Sequence, residues 1–283
     1  MKRLLSLIVA VVLLSPALVR ADNLTVEWME HAFCSRDVVG GAVIVSRCGE
    51  EVFSYTYGSG NARKSVPVTL DTCYRIASVT KMVTAVGLMQ LYEQGYFRLD
   101  DPLGQRLPFD VVNSSYRDQP ITIRQVLSHT SGAKQTIHTQ INWGKLSQGN
   151  TGRYFKENAR PGKKYVYSNI NGGLFGALIE ALSGESLNTY MSKNVFQPLD
   201  MNADYTARLL PDTSDISNQM SKKGGNMKSA EVALQDEYDD TCNPAAHLSY
   251  SVGGLVYKRK CAQPSWNDAV PGGQSERSAN SEP

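Results

Sequence analysis

Apolar residues along this chain change their spacing several times, and each change marks an element. The first run, Leu4 to Leu14, is interrupted by one polar residue, Ser6, and follows Lys2 and Arg3. Leu24, Val26, Met29 and Phe33 then fall at roughly helical spacing before a break at 37–41. GAVIVS and VFSYTYG follow as strand-like runs around a turn at Cys48-Gly49-Glu50. Together they predict a hairpin with strands near 41–46 and 52–58. From Ser78 the period becomes helical. Val79, Met82, Val83, Val86, Met89 and Leu91 or Tyr92 recur until Gly95, which predicts a helix buried through that stripe.

Residues 95–210 read as a mostly helical lobe. ITIRQVLSHTSG, at 121–132, predicts a capped helix stopped at Gly132, and the stretch from Ala133 to Gly162 has little apolar period. After Asn169, Leu174, Phe175, Leu178, Ile179 and Leu182 share one face, and Gly184 ends the helix. Ser186 caps the next, with Leu187, Tyr190, Met191 and Phe196 inward and Pro198 beyond. Beyond Leu210 the chain is polar until LSYSVGGLVY at 248–257. Residues 261–283 are rich in Ser, Gly, Pro and Asn, and are predicted to be a disordered tail.

At 283 residues, 41% hydrophobic and 20% charged, the chain suits one large domain or two lobes sharing a site. The N-terminus modifies that picture. A basic start, an apolar core of eleven residues and Val19-Arg20-Ala21 describe a signal peptide over 1–21, cut after Ala21. The core falls short of the roughly 20 residues that span a bilayer. A secreted or periplasmic location with no stable membrane span is therefore expected. Loss of Lys2, Arg3 and Arg20 takes the formal charge from +2 to about −1, which excludes the basic footprint of a nucleic-acid binder. Five cysteines are an odd number and no Cys-x-x-Cys occurs, which argues against a zinc site. Asn23-Leu-Thr and Asn113-Ser-Ser fit the glycosylation pattern.

The candidate chemistry lies in RIASVTKM, residues 75–82. A serine hydroxyl attacks a carbonyl only when something takes its proton. A lysine can do so when burial or a neighbouring charge lowers its pKa from about 10.4. Ser78 and Lys81 are three apart at a helix start, so they share a face, and the positive helix end suits a developing oxyanion. The plainer alternative is a helix cap followed by a solvated lysine. Ser131 and Lys134 repeat the spacing but straddle Gly132, which gives them no reason to share a face. A second cluster, Pro161 to Asn169, places Tyr167 and Asn169 just before an apolar helix. Tyr167 can donate or accept a proton, and Asn169 can orient a carbonyl or the lysine. As alternatives, Tyr167 is a buried aromatic and Asn169 a cap.

IASVTK, LYEQGYFRLDDPL, ITIRQVLSHTSG and PGKKYVYSNINGGLFGALIEALSG, in this order and with 88 residues between Ser78 and Tyr167, resemble the serine β-lactamase-related family. That family includes class C β-lactamases, D-alanyl-D-alanine carboxypeptidases, esterases and D-amino-acid peptidases. The likeness runs from about residue 38 to 205, then thinly to Leu255. It implies an α/β fold of the α+β type, an antiparallel sheet flanked by helices plus the helical lobe. It also implies acyl transfer through Ser78, proton handling by Lys81 and Tyr167, substrate positioning by Asn169, and no metal or organic cofactor. Implied substrates are D-amino-acid peptides, β-lactams or small esters. His129 in LSHTSG resembles a structural turn of the family and not a catalytic base.

The resemblance implies a third element, Lys-Thr-Gly or His-x-Gly, on a strand closing the site. Lys222-Lys223-Gly224 lacks its hydroxyl residue and stands in a polar stretch. A C-terminally truncated domain over 22–260 with an incomplete sheet is therefore expected. The alternative to turnover is a catalytically impaired relative acting as a binding or penicillin-trapping module.

Overall fold

The structure, a computed structural model, describes residues 26–36, 38–61, 66–135, 154–210, 215–217, 219–220, 226–228, 241–244 and 255–258. Residues 1–21, Asn23, Lys222-Lys223-Gly224, most of LSYSVGGLVY and the tail lie outside these.

Helix α1 (Val26–Cys34) leads into strands β1 (Gly40–Arg47) and β2 (Glu50–Asn61). The hairpin has the expected turn and longer strands, because the alternation continues in the backbone past the apolar run. Val43 pairs with Tyr55, and a bulge falls between Val45 and Ser46. Phe33 of α1 stacks on Tyr57 at 5.2 Å and approaches Tyr55 at 6.0 Å, so one face of the hairpin is covered by aromatic contact. Strand β3 (Val66–Pro67) adds to β2, making three strands where the sequence foretells two.

A second three-stranded sheet joins distant parts of the chain. β4 (Tyr74–Arg75) and β5 (Asn202–Asp204) both pair antiparallel with β8 (Val256–Lys258). β6 (Gln219–Met220) and β7 (Asn226–Lys228) form a separate antiparallel pair. The end of the last apolar run thus serves as the central strand between residues 74–75 and 202–204.

Helices α2 (Val79–Glu93), α3 (Ile123–Leu127), α4 (Asn169–Ser183) and α5 (Leu187–Met191) build the lobe. α4 is its axis, buried continuously from Ile170 to Glu180. Ser168 caps its start by accepting from the Ile170 N–H, and Gly184, at φ +73°, ends it. Leu174, Phe175, Leu178 and Ile179 are buried as the period predicts, each contributing about 1.5–3 kcal/mol over exposure. Ser186 caps α5 through the Thr189 N–H, and Leu187, Tyr190, Met191 and Phe196 are buried.

Two expectations fail here. α2 buries Thr80, Lys81, Thr84, Gly87, Leu88 and Leu91, whereas Val79, Met82 and Val86 are exposed, Met82 to 65%. The helix is thus turned away from its apolar stripe, because the face toward α4 carries polar and small residues. α3 keeps its capping box between Thr122 and Gln125 but ends at Leu127, with His129 left-handed at φ +56°. Asn113 is 1% exposed and donates to the carbonyls of Lys156 and Ala159, so it is no glycosylation acceptor in the folded protein. Among the described residues no helix is long and apolar enough to cross a membrane.

Candidate active site

Ser78 stands where β4 gives way to α2. The Ile76 N–H bonds the Leu255 carbonyl, which holds the incoming strand. Ala77 then takes φ +45°, an uncommon conformation for a residue with a Cβ and a local store of strain. That turn projects Ser78 outward at the helix start. Ser78 makes no side-chain capping bond. Its hydroxyl instead faces two other side chains, so the cap reading does not describe it.

Lys81 Nζ donates to Ser78 Oγ at 3.2 Å, one helical turn along the same face. The Tyr167 hydroxyl donates to the same oxygen at 2.8 Å from the loop before α4. Asn169 Oδ1 lies 3.5 Å from that hydroxyl, a distance at which any bond is weak. Lys81 Nζ is also 5.2 Å from the centroid of the Tyr167 ring, within cation–π range. Three of the four residues singled out in the sequence therefore meet at Ser78 Oγ, and Asn169 stands beside the Tyr167 hydroxyl. Ser78 is exposed, Tyr167 and Asn169 are half-buried, and Lys81 is 5% exposed.

Burial of Lys81 does not come from Val79 or Met82, which are exposed. It comes from close contact with α4: a Cβ on Gly172 would sit 2.5 Å from Lys81 Cε and 2.8 Å from its Cδ. The absent side chain at 172 is the space the lysine stem occupies. The sequence carries a faint signal of this in Asn171-Gly172-Gly173, small residues opening an otherwise apolar helix.

Ser131 and Lys134 do not form a second pair. Ser131 is buried and donates to Asn171 Oδ1 at 2.7 Å. The Asn171 amide faces His129 Nδ1 at 3.1 Å, and the Ser168 N–H donates to that nitrogen at 3.2 Å. Desolvation, followed by the charge of Lys81, pushes the His129 pKa down to about 4. Its ring packs on Tyr167 at 4.8 Å and meets Tyr165 edge-on at 6.0 Å. A cleft of about 320 Å³ elsewhere in the lobe, lined by Pro102, Gln105, Asp110 and Arg117, contains none of these residues.

Chemically, the cluster offers a hydroxyl nucleophile with two proton acceptors in reach, each once deprotonated. Among the described residues no carbonyl takes the Ser78 N–H, and it sits at a helix N-terminus, where negative charge is favoured.

Known proteins supply a context for this geometry. Protein flp of Staphylococcus aureus is 26% identical over 178 residues, 61% of this chain and 36% of the relative. The D-alanyl-D-alanine-carboxypeptidase/endopeptidase AmpH of Escherichia coli K12 is 28% identical over 194 residues, covering 64% of this chain and 49% of the relative. The chain thus spans between about a third and a half of the length of these relatives. Among solved structures, the octameric penicillin-binding protein homologue from Pyrococcus abyssi superposes with a TM-score of 0.66 at 22% identity. It covers 82% of this chain and 52% of that one. A class C beta-lactamase gives 0.65 at 20% identity, covering 82% and 60%. These two share the fold. The Beta-lactamase family model matches residues 21–256, and the chain belongs to that serine β-lactamase-related family.

Proposed function

We propose that the protein is an exported serine hydrolase that transfers an acyl group through Ser78. One observation carries the reading: a phenol from the loop before α4 and an amine from α2 converge on Ser78 Oγ at 2.8 and 3.2 Å. Ser78 Oγ attacks the substrate carbonyl carbon while its proton passes to the deprotonated member of the Tyr167–Lys81 pair. The proton then goes to the leaving amine or alkoxide as the bond to it breaks, leaving an ester on Ser78. Water attacks that ester, gives a proton to the same pair, and Ser78 departs with a proton restored. The Ser78 N–H stabilises the oxyanion, and Asn169 positions the substrate.

Substrates of the proposed reaction are D-amino-acid peptides, β-lactams or small esters. The first class is supported by likeness to AmpH, named as a D-alanyl-D-alanine-carboxypeptidase/endopeptidase. The basic start and the Leu4–Leu14 run support export with cleavage after Ala21, which a mature N-terminus at Asp22 would verify. Intact mass before and after a fluorophosphonate probe, with peptide mapping, tests the chemistry. An adduct on Ser78 that is absent in Lys81→Ala is the expected result. A folded protein without an adduct would sink acyl transfer and leave reversible binding.

A further inference from the structure

We infer that His129 is a positioning residue that holds Tyr167 on Ser78 through an unprotonated Nδ1. The inference rests on the proposed role of Tyr167. The Ser168 N–H can only donate, so the Nδ1 it meets at 3.2 Å must be an acceptor, and the ring's proton sits on Nε2. The second partner agrees. Ser131 donates to Asn171 Oδ1, which leaves the Asn171 amide hydrogens facing Nδ1 at 3.1 Å. One nitrogen therefore ties together the amide that follows Tyr167 and the first turn of α4. The His129 carbonyl adds a third tie by accepting from the Val166 N–H at 2.8 Å.

These bonds bracket Tyr167 in the chain, at 166 and 168, while the imidazole packs on its ring at 4.8 Å. The Lys81 ammonium lies within 5.2 Å of the same ring. With both flanking amides fixed and the ring in contact with His129, the phenol stays within hydrogen-bond reach of Ser78 Oγ. His129 reaches the reaction only through Tyr167, since none of its contacts is with Ser78. Its low pKa, set by desolvation and Lys81, keeps Nδ1 able to accept near neutral pH.

Two substitutions separate this role from maintenance of the turn. His129 is left-handed at φ +56°, a conformation that glycine adopts freely and asparagine tolerates. His129→Gly keeps the turn but removes the acceptor, whereas His129→Asn keeps the turn and supplies an amide oxygen near the place of Nδ1. Crystal structures of the parent and both variants give the distance from Tyr167 Oη to Ser78 Oγ. Fluorophosphonate labelling gives the rate at Ser78. The expected result is a phenol out of hydrogen-bond range and labelling slowed about 10²-fold in His129→Gly, a loss typical of a misplacement near 1 Å. His129→Asn should restore both distance and rate. A phenol still within hydrogen-bond range in His129→Gly would overturn the inference. So would a His129→Asn variant as displaced as the glycine one. Should the parent not label at Ser78, acyl transfer falls, while the distances still decide what His129 does.

Discussion

Ser78 Oγ receives hydrogen bonds from a phenol in the loop before α4 and an amine on α2, so neither partner substitutes for the other. Tyr167→Phe deletes one oxygen and keeps the ring against His129 and Lys81. Turnover should fall about 10²–10⁴-fold with little change in melting temperature. A Phe variant as active as the parent would make Tyr167 a packing residue. Ser131→Ala should separate the two Ser-x-x-Lys copies. Its buried hydroxyl serves Asn171, so the variant should lose about 1–3 kcal/mol of stability yet still label at Ser78. Loss of labelling in a protein of unchanged stability would reverse that assignment. His129 adds a dependence on pH. Lys81 of α2 is the charged group facing it, and Tyr165 and Tyr167 flank it. Its folded pKa of about 4 lies below the ordinary 6.5, so the unfolded chain binds its proton first as pH falls. The stability this ring contributes is complete above about pH 6.5 and drains away toward pH 4. Urea midpoints of the parent and His129→Asn should therefore converge as pH drops from 7.5 to 4.5. A constant gap would show that the ring titrates alike in both states.

Helix α2 shows how an apolar stripe misleads when a site occupies the buried face. Thr80, Lys81, Thr84 and Gly87 face inward because one belongs to the cluster and another lets Met191 approach closely. Periodicity scores polar and small residues as outward, so the existence of the helix was legible and its rotation was not. Alanine substitution tests the rotation. Leu88→Ala, at a fully buried position, should cost about 2–5 kcal/mol. Met82→Ala, 65% exposed, should stay within about 0.5 kcal/mol. Equal costs would place both residues in the core. On α4 the same logic isolates Gly172. Alanine there improves helix propensity by up to about 1 kcal/mol, but its Cβ occupies the space of the Lys81 stem. Labelling of Ser78 should slow about 10²-fold in a protein still fully folded, because the ammonium must move. An unimpaired Gly172→Ala variant would show that Lys81 finds another path to Ser78. By contrast the cap at Ser186 was readable, and the one at Ser168 was misread by one residue at Asn169, because a cap is a local hydrogen bond.

At the scale of the whole molecule, the two halves differ in how they are held. The main core runs from Leu88 through α4 and α5 to Leu255 and includes no residue of α1, β1, β2 or β3. Those elements rest on the Phe33 contacts, on backbone pairing and on polar contacts such as Cys34 Sγ with the Tyr57 hydroxyl at 3.0 Å and the Ser217 hydroxyl donating to the Gly60 carbonyl at 3.3 Å. Among the described residues β1 is an edge strand without a buried residue, while α4 is buried through eleven consecutive positions. The hairpin was visible in the sequence because its turn and alternation are local. The β4–β8–β5 sheet was not, since strands of two and three residues have no period and exist only by distant pairing, Tyr74 with Tyr257 and Ala203 with Tyr257. That sheet ties the strand before Ser78 to residues 202–204 and 255–258, so the candidate site belongs to the cooperative core while the hairpin stands outside it. Hydrogen exchange under native conditions should resolve the difference. Amides of α4 should exchange only through global unfolding, whereas those of β1 and β2 should open at lower free energy. Addition of denaturant should leave the β1–β2 exchange nearly flat and steepen that of α4, because little apolar surface is exposed when the hairpin leaves. Equal protection and equal denaturant slopes in both would mean that hairpin and lobe unfold as one unit. The Ser78 cluster would then depend on a sheet that shares no buried side chain with its core.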